Sequence, residues 1–241
     1  MPSSLPPHVL HLTRVACLVE SRAHLYSQYL SDVFAARGPR WLQTMERWGA
    51  EEETHGTSLR DFLALEDPEF DFERHMADYL ARVPYHPGAA GSVYGSEQGE
   101  LVARCFVEAM AATYYQALGG GASVLRPLCR KLAADEARHF TMFRRLLEEL
   151  RAEQGARPLV AVRAMVQRLR ALDDEQILCA SWCVGPRERP FVLAEESKRY
   201  RAMMWRLYRP RHVRFVAILC LQTLGVGNAS KWLRLPAGVA G

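Results

Sequence analysis

Two stretches decide how this chain folds: Trp48-Gly49-Ala50-Glu51-Glu52-Glu53-Thr54-His55-Gly56 and Leu132-Ala133-Ala134-Asp135-Glu136-Ala137-Arg138-His139-Phe140. Each contains Glu-x-x-His, as Glu52/His55 and as Glu136/His139. On a helix, residues three apart lie on one face, so each motif aims one carboxylate and one imidazole at a common point. Both motifs interrupt apolar stripes of helical period. One stripe is Trp41, Met45, Trp48, Glu52, His55, Leu59 and Phe62. The other is Leu125, Leu128, Leu132, Glu136, His139, Phe143, Leu146 and Leu150. Charge placed in a core is costly unless it is paired or binds a metal.

Two lone glutamates are misfits of the same kind. Glu20 lies on the face of Thr13, Cys17, His24 and Gln28, and Glu108 on that of Leu101, Cys105, Ala112 and Tyr115. Glu20 precedes Glu52 by 32 residues and Glu108 precedes Glu136 by 28, a spacing that suits one helical hairpin each. The spacing predicts long helices over about 8–36, 40–65, 96–121 and 123–153. Between the second and third lies a crossover of roughly thirty residues, carrying a short helix at 69–83 and a loop from Pro84. Further helices are expected at 157–171, 173–182, 188–208 and 210–225. The fold class is therefore all-α, a four-helix bundle (about 8–153) with a long crossover between helices two and three. A C-terminal helical extension (about 157–235) packs on it, the whole forming a single domain over 1–241.

Composition agrees with a globular chain: 49% hydrophobic, 24% charged, 241 residues. The net charge of +4 hides an asymmetry. Residues 1–150 carry fifteen Lys+Arg against twenty Asp+Glu, while 151–241 carry sixteen against seven, hence −5 and +9. A basic surface of that kind meets an acidic partner (carrier protein, electron donor, nucleic acid or membrane) or is simply solvated. Six cysteines make neither a disulfide framework nor a paired zinc knuckle in a chain of this size. The start, Met1-Pro2-Ser3-Ser4-Leu5-Pro6-Pro7, has no basic-then-apolar pattern. The apolar run Val213–Val226 contains Arg214 and is too short to span a bilayer. A cytoplasmic protein without a membrane span is expected.

Four carboxylates, Glu20, Glu52, Glu108 and Glu136, balance two divalent cations, and His55 and His139 add no charge. One Glu from each of two helices with one Glu-x-x-His from each of two others is the pattern of carboxylate-bridged di-iron and di-manganese bundles. This donor set suits iron or manganese better than zinc or copper. Glu52 and Glu136 are expected to bridge the metals. Glu20 and Glu108 each terminate one, and each histidine binds one. Metal-bound histidines commonly donate their other ring nitrogen to a carboxylate, and Asp135 and Glu51 are either the candidates, each for the histidine of the other motif, or solvent-facing acids.

The sequence resembles the soluble acyl carrier protein desaturases, a branch of the ferritin-like di-iron carboxylate superfamily. Residues 48–56 are similar to that family's Trp-Thr-Ala-Glu-Glu-x-x-His-Gly, and Ala133–His139 to its Ala-Ala-Asp-Glu-Lys-Arg-His. Glu20 with Tyr26, and Phe106-Val107-Glu108, fall where its other glutamates stand. The resemblance implies a ferritin-like bundle and two ferrous ions, with manganese as the alternative in one or both sites. It also implies a dioxygen-dependent oxidase that places a double bond in a carrier-bound acyl chain. A ferredoxin-like electron donor, an acidic acyl carrier protein or another acyl thioester, and a second copy of the chain are the implied partners; nucleic acid is not. Hydroxylation or N-oxygenation of a small molecule is the alternative activity. Iron storage or peroxide handling ranks below both, because ferritins proper lack the second Glu-x-x-His and rubrerythrins add a Cys-x-x-Cys knuckle absent here.

Met45, Trp48, Leu59, Phe62, Ala112, Tyr115 and Phe143 are candidates to line a substrate slot, or plain core. Cys17 and Cys105, each three residues before a lone Glu, are read as small buried filler or as lining an oxygen pocket. The sequence departs from the family in three places. The first tryptophan is Trp41, so the family's earlier electron-relay tryptophan has no counterpart in these residues. Ala111 stands where desaturases carry a Thr, with Thr113 nearby. His24, one turn after Glu20, is a lesser candidate for an extra ligand.

Overall fold

Gly38-Pro39 separates the first two rods of the structure. Gly38 has φ +86°, a conformation glycine adopts without strain, and Pro39 opens the next helix at a position where its missing N–H costs nothing. The computed structural model describes residues 3–83, 91–170, 175–186 and 189–226, and every regular element among them is helical. The elements are α1 (Pro7–Glu20), α2 (Ala23–Val33) with a following 3-10 turn (Ala35–Arg37), α3 (Pro39–Glu66), α4 (Phe72–Arg82), α5 (Glu97–Gly121), α6 (Arg126–Gln154), α7 (Pro158–Arg170), α8 (Glu175–Cys183), α9 (Leu193–Leu207) and α10 (Pro210–Thr223). No described helix is long and apolar enough to cross a membrane.

The bundle is two hairpins. α1 and α2 run as one rod against α3, while α5 and α6 pack side by side, joined by a short turn at 122–125. α3 also meets α6, and α1 meets α5, which closes the four-helix core. The sequence marks the boundaries plainly. Ser96 caps α5 by accepting from Gly99 N–H (3.1 Å), and Asp71 caps α4 by accepting from Arg74 N–H (3.1 Å). Gly155, at φ +79°, ends α6. Asp67 stops α3 and accepts from Arg14 Nε (2.6 Å), tying that end to α1.

The first predicted helix is two helices rather than one. It breaks at Ser21-Arg22, immediately after Glu20. No Gly or Pro marks the place; the cause is tertiary. Arg22 turns inward and is buried, donating to the Val83 carbonyl (2.9 Å) with its guanidinium over the Tyr79 ring (4.9 Å). Ser21 Oγ donates back to the Cys17 carbonyl (2.7 Å), a bond that competes with the helical ladder.

Glycines seat this rod on α3. A Cβ on Gly56 would lie 2.8 Å from the Ser21 backbone nitrogen, and one on Gly49 would lie 2.4 Å from the Ser27 Cβ. Seven residues apart, they give α3 the flat face on which the break rests.

α7 and α10 flank α5, α8 packs on α1 and α4, and α9 packs on α1, α5 and α8. A buried polar chain fastens α8 and α9 to the bundle. His11 Nε2 meets Ser181 Oγ (2.8 Å), Ser181 donates to Glu196 (2.6 Å), and Arg189 donates to the other Glu196 oxygen (3.1 Å). Burial, with Arg14 and Arg189 nearby, pushes the His11 pKa down to about 4, so His11 is neutral and can donate to the serine. The crossover from Pro84, Asp173-Asp174, and the extension predicted past Val226 lie outside the described residues.

Candidate metal centre

Glu52 and His55 sit in the middle of α3, Glu108 in α5, and Glu136 and His139 in α6; all five are between 1% and 4% exposed. Glu20 is the last residue of α1. It is partly exposed as a residue, but its carboxyl end points inward and accepts a short hydrogen bond from the Tyr115 hydroxyl. The stripes that bury Leu59, Leu132 and Phe143 also bury these ionisable groups, because they share the same helical faces.

Their donor atoms form two sets of four, Glu20/Glu52/His55/Glu136 and Glu52/Glu108/Glu136/His139, each within 4.8 Å. Glu52 and Glu136 belong to both. His55 Nδ1 lies 3.1 Å from Glu52 Oε2 and 3.2 Å from Glu136 Oε1. His139 Nδ1 lies 2.8 Å from Glu52 Oε1 and 3.6 Å from Glu136 Oε2. Each shared carboxylate thus turns one oxygen toward each imidazole. Glu108 Oε2 is 3.6 Å from His139 Nδ1, on the second set only.

The far side of each ring is held from outside. His55 Nε2 lies 3.3 Å from Asp135 Oδ2 and His139 Nε2 lies 3.0 Å from Glu51 Oε2. These are the carboxylates expected from the sequence, each serving the histidine of the other motif. Arg138 joins them, donating to Asp135 (2.5 Å) and to Glu51 (3.2 Å). Nε2 bound outward leaves Nδ1 facing the carboxylates, the orientation a metal requires.

The electrostatics describe a site built to be neutralised. Burial raises the pKa of Glu20 well above the carboxylate range, and the charges of Glu52 and Glu136 push it further. Burial likewise raises Glu108, against the pull of His139. Burial opposes ionisation of Glu52 too, yet the close imidazoles of His139 and His55 hold its pKa at about 2. For His55, burial favours the neutral ring, but Glu136 and Glu52 override it and raise the pKa to about 11. His139 is raised as well, by Glu108, Glu136 and Glu52 against its burial. Without cations the cluster therefore retains protons that a metal would have to displace.

The donor set fits such a metal. Glu108 Oε1, Glu136 Oε1 and His139 Nδ1 are buried without an aligned hydrogen-bond partner among the described residues. The 2.8 Å approach of His139 Nδ1 to Glu52 is close in distance but off the line a hydrogen bond needs. Donors aimed at a shared point rather than at one another are what coordination uses. This buried Glu/His cluster can hold metal.

Other candidates fall elsewhere. His24 is not part of the cluster: beyond the break it faces outward, its side chain 56% exposed and 3.9 Å from Glu53. Cys17 and Cys105 are both fully buried in core clusters, Cys17 Sγ lying 4.0 Å from the Gly56 carbonyl. Met45, Trp48 and Phe143 pack in one core cluster and Leu59 and Tyr115 in another, with Phe62 at its edge; Ala112 is buried. The Trp48 ring stands edge-on to Phe143 (5.5 Å) and to His139 (6.5 Å). The contact between Tyr115 and Glu20 was not anticipated, although the spacing carried the signal. Tyr115 is seven residues after Glu108 and so on the same helical face.

Comparison with curated proteins finds no match. Residues 23–172, more than half of the chain, match the family model described as fatty acid desaturase. That span carries five of the six cluster residues and stops just short of Glu20. With its helical bundle and its buried Glu/His cluster, the chain belongs to the fatty acid desaturase family, in the acyl carrier protein desaturase-like branch of the ferritin-like superfamily.

Proposed function

We propose that the protein is a di-iron, dioxygen-dependent oxidase that desaturates an acyl chain presented as a carrier-bound thioester. The observation that carries this reading is the sharing of Glu52 and Glu136 between two four-donor sets. In this assignment Glu20 and His55 complete one iron site, Glu108 and His139 complete the other, and Glu52 and Glu136 bridge. Four carboxylates cancel the charge of two ferrous ions, which removes the cost of burying either alone.

Iron bound there would supply the electrons and the dioxygen activation needed to take hydrogen from an unactivated C–H bond. The chain's own residues do the rest. Asp135 and Glu51 fix the two imidazoles with Nδ1 inward. Leu59, Leu132 and Phe143, all fully buried, keep water from the centre. Tyr115 holds a proton at Glu20. The +9 balance of residues 151–241 supports an acidic carrier protein and an acidic, ferredoxin-like donor as partners. A homodimer, a cytoplasmic location and iron rather than manganese belong to the same proposal.

A second reading, hydroxylation or N-oxygenation of a smaller molecule, has one observation in its favour. Ala111 replaces the desaturases' Thr, and the hydroxyl of nearby Thr113 is committed to the Ala109 carbonyl (2.8 Å).

The test is iron stoichiometry followed by ligand identification. The metal-free protein should take up two equivalents of iron(II), and Glu136→Ala, which removes a donor from both sets, should lose half or more. Unchanged uptake in that variant would reject the centre. Mass spectrometry of small molecules that co-purify separates the readings: a fatty acyl thioester supports desaturation, and an amino or aromatic compound supports the alternative.

A further inference from the structure

A line of aromatic side chains leads from Glu20 to the surface. Tyr115, buried, donates its hydroxyl to Glu20. Its ring stands edge-on to Tyr114 with centroids 5.4 Å apart, a normal packed aromatic contact. Tyr114 donates its hydroxyl to the Leu12 carbonyl (2.7 Å) and packs, with Tyr200 of α9, against one core cluster. Tyr208, at the end of α9, packs in the same cluster. The Tyr208 ring lies 5.9 Å from that of Trp205, and Trp205 is 66% exposed. The Tyr208 hydroxyl is buried with no hydrogen-bond partner among the described residues, so hydrogen bonding does not explain a phenol there.

We infer that Tyr115, Tyr114, the α9 tyrosines and Trp205 form a conduit that discharges oxidising equivalents from the metal centre to the surface when no organic substrate is in place. The inference rests on the di-iron reading above. Phenols and indoles yield an electron only to strong oxidants, so the line is silent toward a weakly reducing donor. Iron bound at the centre would supply, with dioxygen, the one-electron oxidant that makes it conduct. Tyr115 then loses an electron to that oxidant and passes its phenolic proton to Glu20 along the existing hydrogen bond. Trp205 supplies the missing electron through the packed rings of Tyr114 and the α9 tyrosines, which keep their protons; its indole N–H proton goes to solvent, and Tyr115 recovers its own from Glu20. A thiol in solution finally reduces the exposed indole, losing one electron and one proton. The net change is one electron delivered to the centre, one thiol oxidised to a thiyl radical and one proton released to solvent, with every O–H and the indole N–H restored.

The experiment mixes iron(II)-loaded full-length protein with dioxygen, without organic substrate or thiol, and follows two signals. One is an organic radical in rapidly frozen samples by electron paramagnetic resonance, with ring-deuterated tyrosine to identify it. The other is oxygen addition at Trp205 by peptide mass spectrometry. A tyrosyl radical and oxidised Trp205 are expected in the parent. Tyr115→Phe keeps the ring and removes only the hydroxyl, and both signals should be lost. Trp205→Phe should lose the surface oxidation and retain the radical inside. Tyr114→Ala separates a continuous line from chance exposure, since removing the ring that packs on Tyr115 should abolish Trp205 oxidation. Trp205 oxidation that persists in Tyr115→Phe, or a parent with two irons and neither signal, overturns the conduit and leaves the metal centre standing. A parent that binds no iron overturns both.

Discussion

Gly56→Ala is the sharpest test of how the fold positions the centre. An alanine in mid-helix gains about 0.5–1 kcal/mol over glycine. At position 56 that gain meets a wall: the added Cβ would sit 2.8 Å from the Ser21 nitrogen and 3.0 Å from its Cα. Ordinary contact begins near 3.4 Å, so the two backbones must part by about 0.6 Å. Neither atom belongs to a flexible side chain, and overpacking of this kind costs about 1–3 kcal/mol. The net expectation is a loss of up to about 2.5 kcal/mol. Because Ser21 follows Glu20, the displacement also draws that carboxylate from its set, and iron bound by Glu20 and His55 should weaken more than iron bound by Glu108 and His139. Gly120→Ala is the matched control, since no described residue lies within 4 Å of its Cβ position in α5. It should stabilise by about 0.4–1 kcal/mol. Urea unfolding of both metal-free variants, with iron titrations watched by absorbance, gives the numbers. Gly56→Ala matching Gly120→Ala in both assays would refute the close contact between α1 and α3.

Removing iron should leave a protein whose stability falls as pH rises. His55, raised to about 11, and His139, Glu20 and Glu108, also raised, all bind protons more tightly folded than unfolded. Their stabilisation is present below the unfolded values and lost as pH climbs, for His55 between about 6.5 and about 11. Melting curves in chelator across that range should slope downward, while iron-loaded protein, with the protons displaced, should not. Asp135→Ala frees the outer edge of His55, and iron affinity measured against a competing chelator should drop about 10–100-fold, with the helical circular dichroism unchanged. Leu59→Ala empties a fully buried position one turn beyond His55 and should cost about 2–5 kcal/mol in denaturant unfolding.

The helices and the six-residue cluster were legible because they rest on local rules. Ser96, Asp67, Gly38-Pro39 and the 3.6-residue stripes act over a few positions, and Glu52/His55 and Glu136/His139 are fixed by helical spacing alone. Glu51 and Asp135 could be named because each directly precedes a motif glutamate. What escaped depends on long-range packing. The break after Glu20 arises from Arg22 seeking Tyr79 and Val83 about sixty residues away, and it turns His24 out to solvent. Arg138 joining Asp135 to Glu51 across two helices likewise left no mark in the sequence.

That break also divides the labour between the two halves of the centre. Glu52, Glu108 and Glu136 lie deep within helices, with hydrogen-bonded turns on both sides. Glu20 ends its helix, and only a turn follows. Swinging it leaves the helical ladder intact, whereas moving any of the other three would strain a rod. The two donor sets are thus chemical twins with different mechanical compliance, and any rearrangement of ligands during turnover begins on the side of Glu20 and His55.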